Sequence, residues 1–61
     1  MELIKLHTGS APILVNISNI QYVRPWSNWS RIYFVGRDEP LDVDESYNTV
    51  SRTLYFEGLK R

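Results

Sequence analysis

Arg24-Pro25-Trp26-Ser27-Asn28-Trp29-Ser30-Arg31 is the stretch of this 61-residue chain with the most capacity for recognition chemistry. It sets two tryptophans three residues apart in a short polar loop, with an arginine at each end. Indole rings and guanidinium groups are enriched at binding hot spots, where a rigid apolar body and a fork of donors act together. The same pair of residue types can stack bases beside phosphates, as single-strand binders do. The competing structural account is that one or both tryptophans fold back over the mouth of a small core. Burying an aromatic removes ~150–250 Å² from water, a large gain for so small a domain. The flanking strands suggest a division of labour, with Trp29 packing and Trp26, just beyond Pro25, free for contact. Arg24, Trp26, Trp29 and Arg31 are therefore the candidate binding surface.

The remaining reactive side chains form no constellation with assignable roles. His7 is the single histidine and there is no cysteine, which excludes disulfides and thiolate metal sites. One histidine cannot build a zinc centre alone. His7 as a general base has no nucleophile or carboxylate in a recognised arrangement, and it reads as a surface or edge residue. The acidic segment Asp38–Glu45 lacks the ligand order of an EF-hand and reads as a solvated turn that biases a helix start. Gly9, Ser10 and Gly36 belong to turns, and no phosphate-cradling loop occurs. No catalytic residue, metal ligand or cofactor is expected, and the chain reads as non-enzymatic.

Size and charge narrow the classes further. A chain this short buries only ~60% of its unfolded surface, so one thin core is expected over residues 1–61. Small scaffolds need staples, association or good packing, and self-association into a homodimer is one route. Net charge is zero, but Lys5, Arg24, Arg31 and Arg37 outweigh Glu2 in residues 1–37. Residues 38–61 reverse this, with Asp38, Glu39, Asp42, Asp44, Glu45 and Glu57 against Arg52, Lys60 and Arg61. A strongly basic nucleic-acid binder is not indicated by that balance. No apolar run approaches the ~20 residues needed to cross a bilayer, and no signal-peptide pattern opens the chain. With the missing cysteines, this reads as a cytoplasmic protein without a membrane partner.

These groups must be carried by short strands. Residues 3–7 place Ile4 and Leu6 on one face, and a turn at Thr8–Pro12 leads to a second strand at 13–15. Asn16, Ser18 and Asn19 offer side-chain bonds that compete with a ladder and break the run. A third strand spans 20–24 and ends at Pro25, which cannot donate within a central ladder. The strongest strand is 31–35, with Ile32 and Phe34 on one face and Arg31, Tyr33 and Val35 on the other. After a polar turn comes a fifth strand at 41–43. The period then changes. Ser46 with Thr49 resembles a capping arrangement, and Tyr47, Val50, Ser51 and Leu54 form one stripe of a helix over about 46–57. Gly58 can close that helix, and Lys60 and Arg61 form a basic end. Tyr55 and Phe56 are ~100° apart on a helix, so one of them is expected to face solvent. The fold class is mainly β (α+β): five short antiparallel strands in a twisted meander or small half-open barrel, with one C-terminal helix.

From residue 2 to about 54 the chain resembles the small flagellar and swarming-motility proteins of the FlbD type. The likeness is carried by Ile4-Lys5-Leu6, by Val15-Asn16 with Asn19-Ile20, and by Val43-Asp44-Glu45-Ser46 with Val50. The tryptophan loop is larger and more aromatic than that family's usual short hairpin. The middle is also similar to the first half of a LytTR DNA-binding domain, through Ile20-Gln21-Tyr22-Val23-Arg24 and Ser27-Asn28-Trp29-Ser30-Arg31-Ile32. The first resemblance implies a bacterial accessory protein, the second a nucleic-acid-binding accessory domain. The residues themselves favour a small protein-interaction module. Its alternative is a nucleic-acid binder using Arg24, Arg31, Arg37 and the tryptophans.

Overall fold

The computed structural model describes residues 2–59, with the side chains of residues 57–59 left aside. The expected basic end, Lys60 and Arg61, lies outside the described residues. Five antiparallel strands form two sheets, and one helix follows. Strands β1 (Leu3–Thr8) and β2 (Ala11–Asn16) make a hairpin. Strands β3 (Ile20–Trp26), β4 (Trp29–Phe34) and β5 (Leu41–Val43) make a three-stranded sheet with β4 in the middle. Helix α1 spans Tyr47–Leu59 and runs through Gly58 rather than closing there.

The meander is interrupted once. Asn16 accepts the Ser18 N–H on its side-chain oxygen at 3.0 Å, and Ile17–Asn19 form a single 3₁₀ turn. This is the competition between short polar side chains and a ladder that the sequence suggests. The two sheets meet again at the other end, where the Asp44 N–H donates to the His7 carbonyl at 2.7 Å. No barrel closes.

Alternation fixes which side chains go inside. Ile4 and Leu6 of β1, Val15 of β2, Ile32 of β4, Val43 of β5 and Val50 of α1 are the buried core. Val23, Phe34 and Leu54 pack against it from the rim. Helix α1 lies on β3 and β4, which covers the inner face of the three-stranded sheet. Its entry is set by Ser46, whose Oγ accepts the Thr49 N–H at 3.3 Å, as a capping residue does. Tyr55 and Phe56 are both exposed, where one of the two was expected to be.

Two expectations about the middle of the chain are corrected. Pro25 does not end β3; the strand continues through it to Trp26. It stands opposite Ser30 on a strand whose other edge has no partner strand, so its missing donor breaks no second ladder. Trp26 and Trp29 are consequently strand residues, paired directly across a two-residue turn of Ser27 and Asn28. The polar loop shrinks to that turn, in which Ser27 takes a φ of +47°. The first hairpin tightens in the same way. Gly9 (φ +55°) and Ser10 (φ +71°) alone form its turn, and Ala11 and Pro12 join β2. Positive φ at both central residues is the twist-matched geometry for a two-residue hairpin.

Candidate functional site

The inner residues of β3 and β4 are committed to the core, so the alternate residues form one outward face. On β3 these are Tyr22, Arg24 and Trp26; on β4 they are Trp29, Arg31 and Tyr33. The register pairs them like with like: Tyr22 opposite Tyr33, Arg24 opposite Arg31, Trp26 opposite Trp29. A register shift between Ile20 and Tyr22 adjusts the start of β3, and Asp42 of β5 extends the arginine row across a third strand.

Three cross-strand rows result. The indoles of Trp26 and Trp29 stack with ring centroids 5.9 Å apart and planes 12° from parallel. Tyr22 and Tyr33 stack more closely, at 4.4 Å and 20°. Between these ridges lie the guanidiniums. Arg31 sits 5.2 Å from the Trp26 ring and 5.6 Å from the Trp29 ring, and Arg24 lies 5.9 Å from Tyr22. All are within cation–π range. Arg31 also grips Asp42 with a fork, Nε to Oδ1 at 2.7 Å and the terminal nitrogen to Oδ2 at 3.3 Å. That pairing holds the Asp42 carboxyl below the usual carboxylate range and raises Arg31 above its ordinary value. Arg24 has no ion-pair partner among the described residues.

The structure thus brings together the four candidate residues Arg24, Trp26, Trp29 and Arg31, and adds Tyr22, Tyr33 and Asp42. Trp26 is 46% exposed, and Trp29 is half-buried. Neither plugs the core, whose buried members are all aliphatic. The two rings shelter each other on the solvent side instead. The two tyrosines had a signal in the sequence that depends on the position of the turn. Tyr22-x-Arg24-x-Trp26-Ser27-Asn28-Trp29-x-Arg31-x-Tyr33 is a palindrome in outward-facing residues, and a two-residue turn at its centre must pair each with its like.

The other candidate groups are brought to a different place and have a structural use. Asp44 and Glu45 lie directly before the helix, whose first turn itself holds no acidic residue. They face the first hairpin. Asp44 accepts the N–H groups of Gly9 at 3.1 Å and Ser10 at 2.7 Å. Glu45 accepts the His7 N–H at 2.9 Å and meets the ring Nδ1 of His7 at 2.6 Å. Burial pushes the Glu45 carboxyl up, but these two bonds from His7 outweigh it and hold the group below its ordinary range. The Glu45 carbonyl in turn accepts from the buried Ser30 Oγ at 2.7 Å. His7 is therefore an element of a polar latch joining β1, β4 and the entry to α1. Arg37 lies 5.9 Å from the Phe34 ring, in a cleft shared with β2 rather than with the ladder. Among the described residues no group of acidic, histidine or cysteine side chains could hold a metal ion, and no helix is long and apolar enough to cross a membrane.

No known protein family matches this chain, and neither a curated protein nor a solved structure gives a significant match. The likeness to FlbD-type and LytTR proteins therefore stands on the residues quoted for it alone.

Proposed function

We propose that this chain is a small non-enzymatic interaction module that contacts a protein partner through the outer face of β3, β4 and β5. The observation that carries the reading is the ladder itself. Four aromatic rings and two guanidiniums occupy one open sheet face, held in register by a two-residue hairpin whose opposite side is the core. Rigid aromatics and arginine are the residue types that anchor protein interfaces. Strand addition at a sheet edge is the less favourable mode. Two of the four edge strands hold a proline, Pro12 in β2 and Pro25 in β3, which blunts those edges, and β5 is only three residues long.

The nucleic-acid alternative is disfavoured by the same geometry. A base stacks on a free ring face, and Tyr22 and Tyr33 already spend one face each on the other at 4.4 Å. Arg31 is neutralised by Asp42, and Arg37 lies elsewhere, so the face offers no line of cations for a phosphate backbone. Within this reading the module works in the cytoplasm of a bacterial cell, and homodimer formation would be a second use of the same face.

The test is covalent capture in cells. A photoreactive phenylalanine at Ser27, at the hairpin tip, should yield a defined protein adduct on irradiation. The same group at Lys5, on the far hairpin, should not. Nucleic-acid adducts from Ser27, or identical adducts from both positions, would count against the proposal.

A further inference from the structure

The middle row of the ladder is unbalanced. Arg24 and Arg31 stand directly opposite each other on an antiparallel pair. Like charges in that relation destabilise a sheet. One carboxylate serves the two guanidiniums, and Asp42 spends both oxygens on Arg31. Arg24 keeps its donors: among the described residues it meets the Tyr22 ring on this face and no carboxylate.

The aromatic rows bound this charge on both sides. Tyr22 and Trp26 are four residues apart on β3, so the ridges are separated by about 13 Å at a strand rise of ~3.3 Å per residue. That exceeds the ~10 Å that an extended chain with its side chains takes up face to face, so one such chain can lie over the arginine row between them. The floor it would meet is the Arg24 and Arg31 row. A guanidinium fork matches a carboxylate with two parallel bonds, which fixes orientation as well as affinity.

We infer that the trough between the stacked tyrosines and the stacked tryptophans takes an extended acidic peptide segment of a partner protein, whose carboxylate supplies the counter-ion that Arg24 lacks. This rests on the protein-contact reading above and names the chemistry of the partner. The aromatic ridges take the apolar neighbours of that carboxylate, and Asp42 stops a second acidic side chain from settling over Arg31. The segment is therefore one with a single acidic residue at the trough, flanked by apolar or prolyl residues, and not a run of acids.

The experiment is selection from a displayed library of random short peptides on the full-length protein. Selected peptides should share an Asp or Glu with apolar neighbours. Their affinity should fall about tenfold or more in Arg24→Gln, the scale of one charge-assisted hydrogen bond, and stay unchanged in Lys5→Gln. The indole N–H resonances of Trp26 and Trp29 should shift on titration. Arg24→Gln removes a like-charge contact and one exposed cation–π contact, which offset each other, so it should melt close to the parent and lost binding is then not lost folding. Peptides that bind the face, judged by sensitivity to Trp26→Ala, but show no acidic preference would overturn the inference and spare the protein-contact reading. Peptides indifferent to both Arg24→Gln and Trp26→Ala would overturn both. So would tighter binding of a single-stranded oligonucleotide. Sedimentation showing that the free protein covers this face with a second copy would replace the acidic peptide as occupant.

Discussion

Replacing Glu45 with glutamine should unlatch the first hairpin from the rest of the fold in a pH-dependent way. The Glu45 carboxylate receives the His7 N–H at 2.9 Å and the His7 ring nitrogen at 2.6 Å, and its side chain is only 17% exposed. Hydrogen bonds to a charged partner contribute roughly 1.5–3 kcal/mol each. The His7 side chain is 41% exposed, so solvent screening puts that bond at the lower end. Glutamine keeps one acceptor oxygen at neutral strength and turns the other position into a donor. The expected cost near neutral pH is about 1–2 kcal/mol. That is a large part of the roughly 3–9 kcal/mol that a domain of this length holds at ~0.05–0.15 kcal/mol per residue.

The sign of the pH effect follows from the direction of the shift. The carboxyl is held below its ordinary value in the folded protein. Its contribution is therefore fully present above the unfolded value, ~4.3, and is lost as pH falls through the folded value. Asp42 is also held low, by Arg31, and adds acid sensitivity of the same sign to both proteins, so it cancels in the difference. Urea unfolding followed by tryptophan fluorescence, repeated from neutral pH down into the acid range, gives that difference directly. The gap between parent and Glu45→Gln should be widest at neutral pH and close as the parent's carboxyl protonates. A gap that stays constant into acid, or no gap at neutral pH, would refute the latch.

Two other outcomes follow from the hairpin. Trp26→Ala should abolish the exciton couplet that stacked indoles give in circular dichroism while leaving the fold intact, since Trp26 is 46% exposed and outside the core; a surviving couplet would mean the rings are not stacked in solution. Ser27→Gly should raise stability by about 0.5 kcal/mol, because a side chain at φ +47° is strained by more than glycine's added chain entropy costs; a lower melting temperature would contradict the turn geometry.

Local pattern made most of the fold legible. Ile4 and Leu6, Ile32 and Phe34, and the Val50–Leu54 stripe all lie where their periods direct them, because burying one face of a strand or helix leaves no other arrangement. Pro25 misled, since its effect depends on whether the neighbouring edge is paired, and edge position is a property of the sheet and not of the residue. The bonds of Asp44 and Glu45 were hidden for a similar reason. Their partners His7, Gly9 and Ser10 are more than thirty residues away in the chain, and a carboxylate beside a helix start has an obvious local use that here yields to a longer-range one. The site residues were half legible. Arg24, Trp26, Trp29 and Arg31 stand out by type, whereas Tyr22, Tyr33 and Asp42 emerge once the hairpin register is known.

The ladder invites a purely structural explanation, which the arginines resist. Stacked aromatic pairs and cation–π contacts on an outer face would stiffen a domain whose buried core is only six aliphatic side chains. That account covers both tryptophans and both tyrosines. It also covers Arg31, which has two rings and a carboxylate to hold it. It covers Arg24 least, through one ring contact with Tyr22 at 5.9 Å. A face selected for stability alone would oppose Arg31 with an acidic or apolar residue, since either removes the like-charge contact and a glutamate would add an ion pair. Retaining a second guanidinium there, without a carboxylate, leaves a like-charge contact that one exposed cation–π contact offsets only in part and that a bound anionic group relieves. The position that separates a scaffold from a recognition surface is therefore Arg24, and its substitution distinguishes the two: a gain or no change in stability together with a loss of binding belongs to a recognition surface, and a loss of stability belongs to a scaffold.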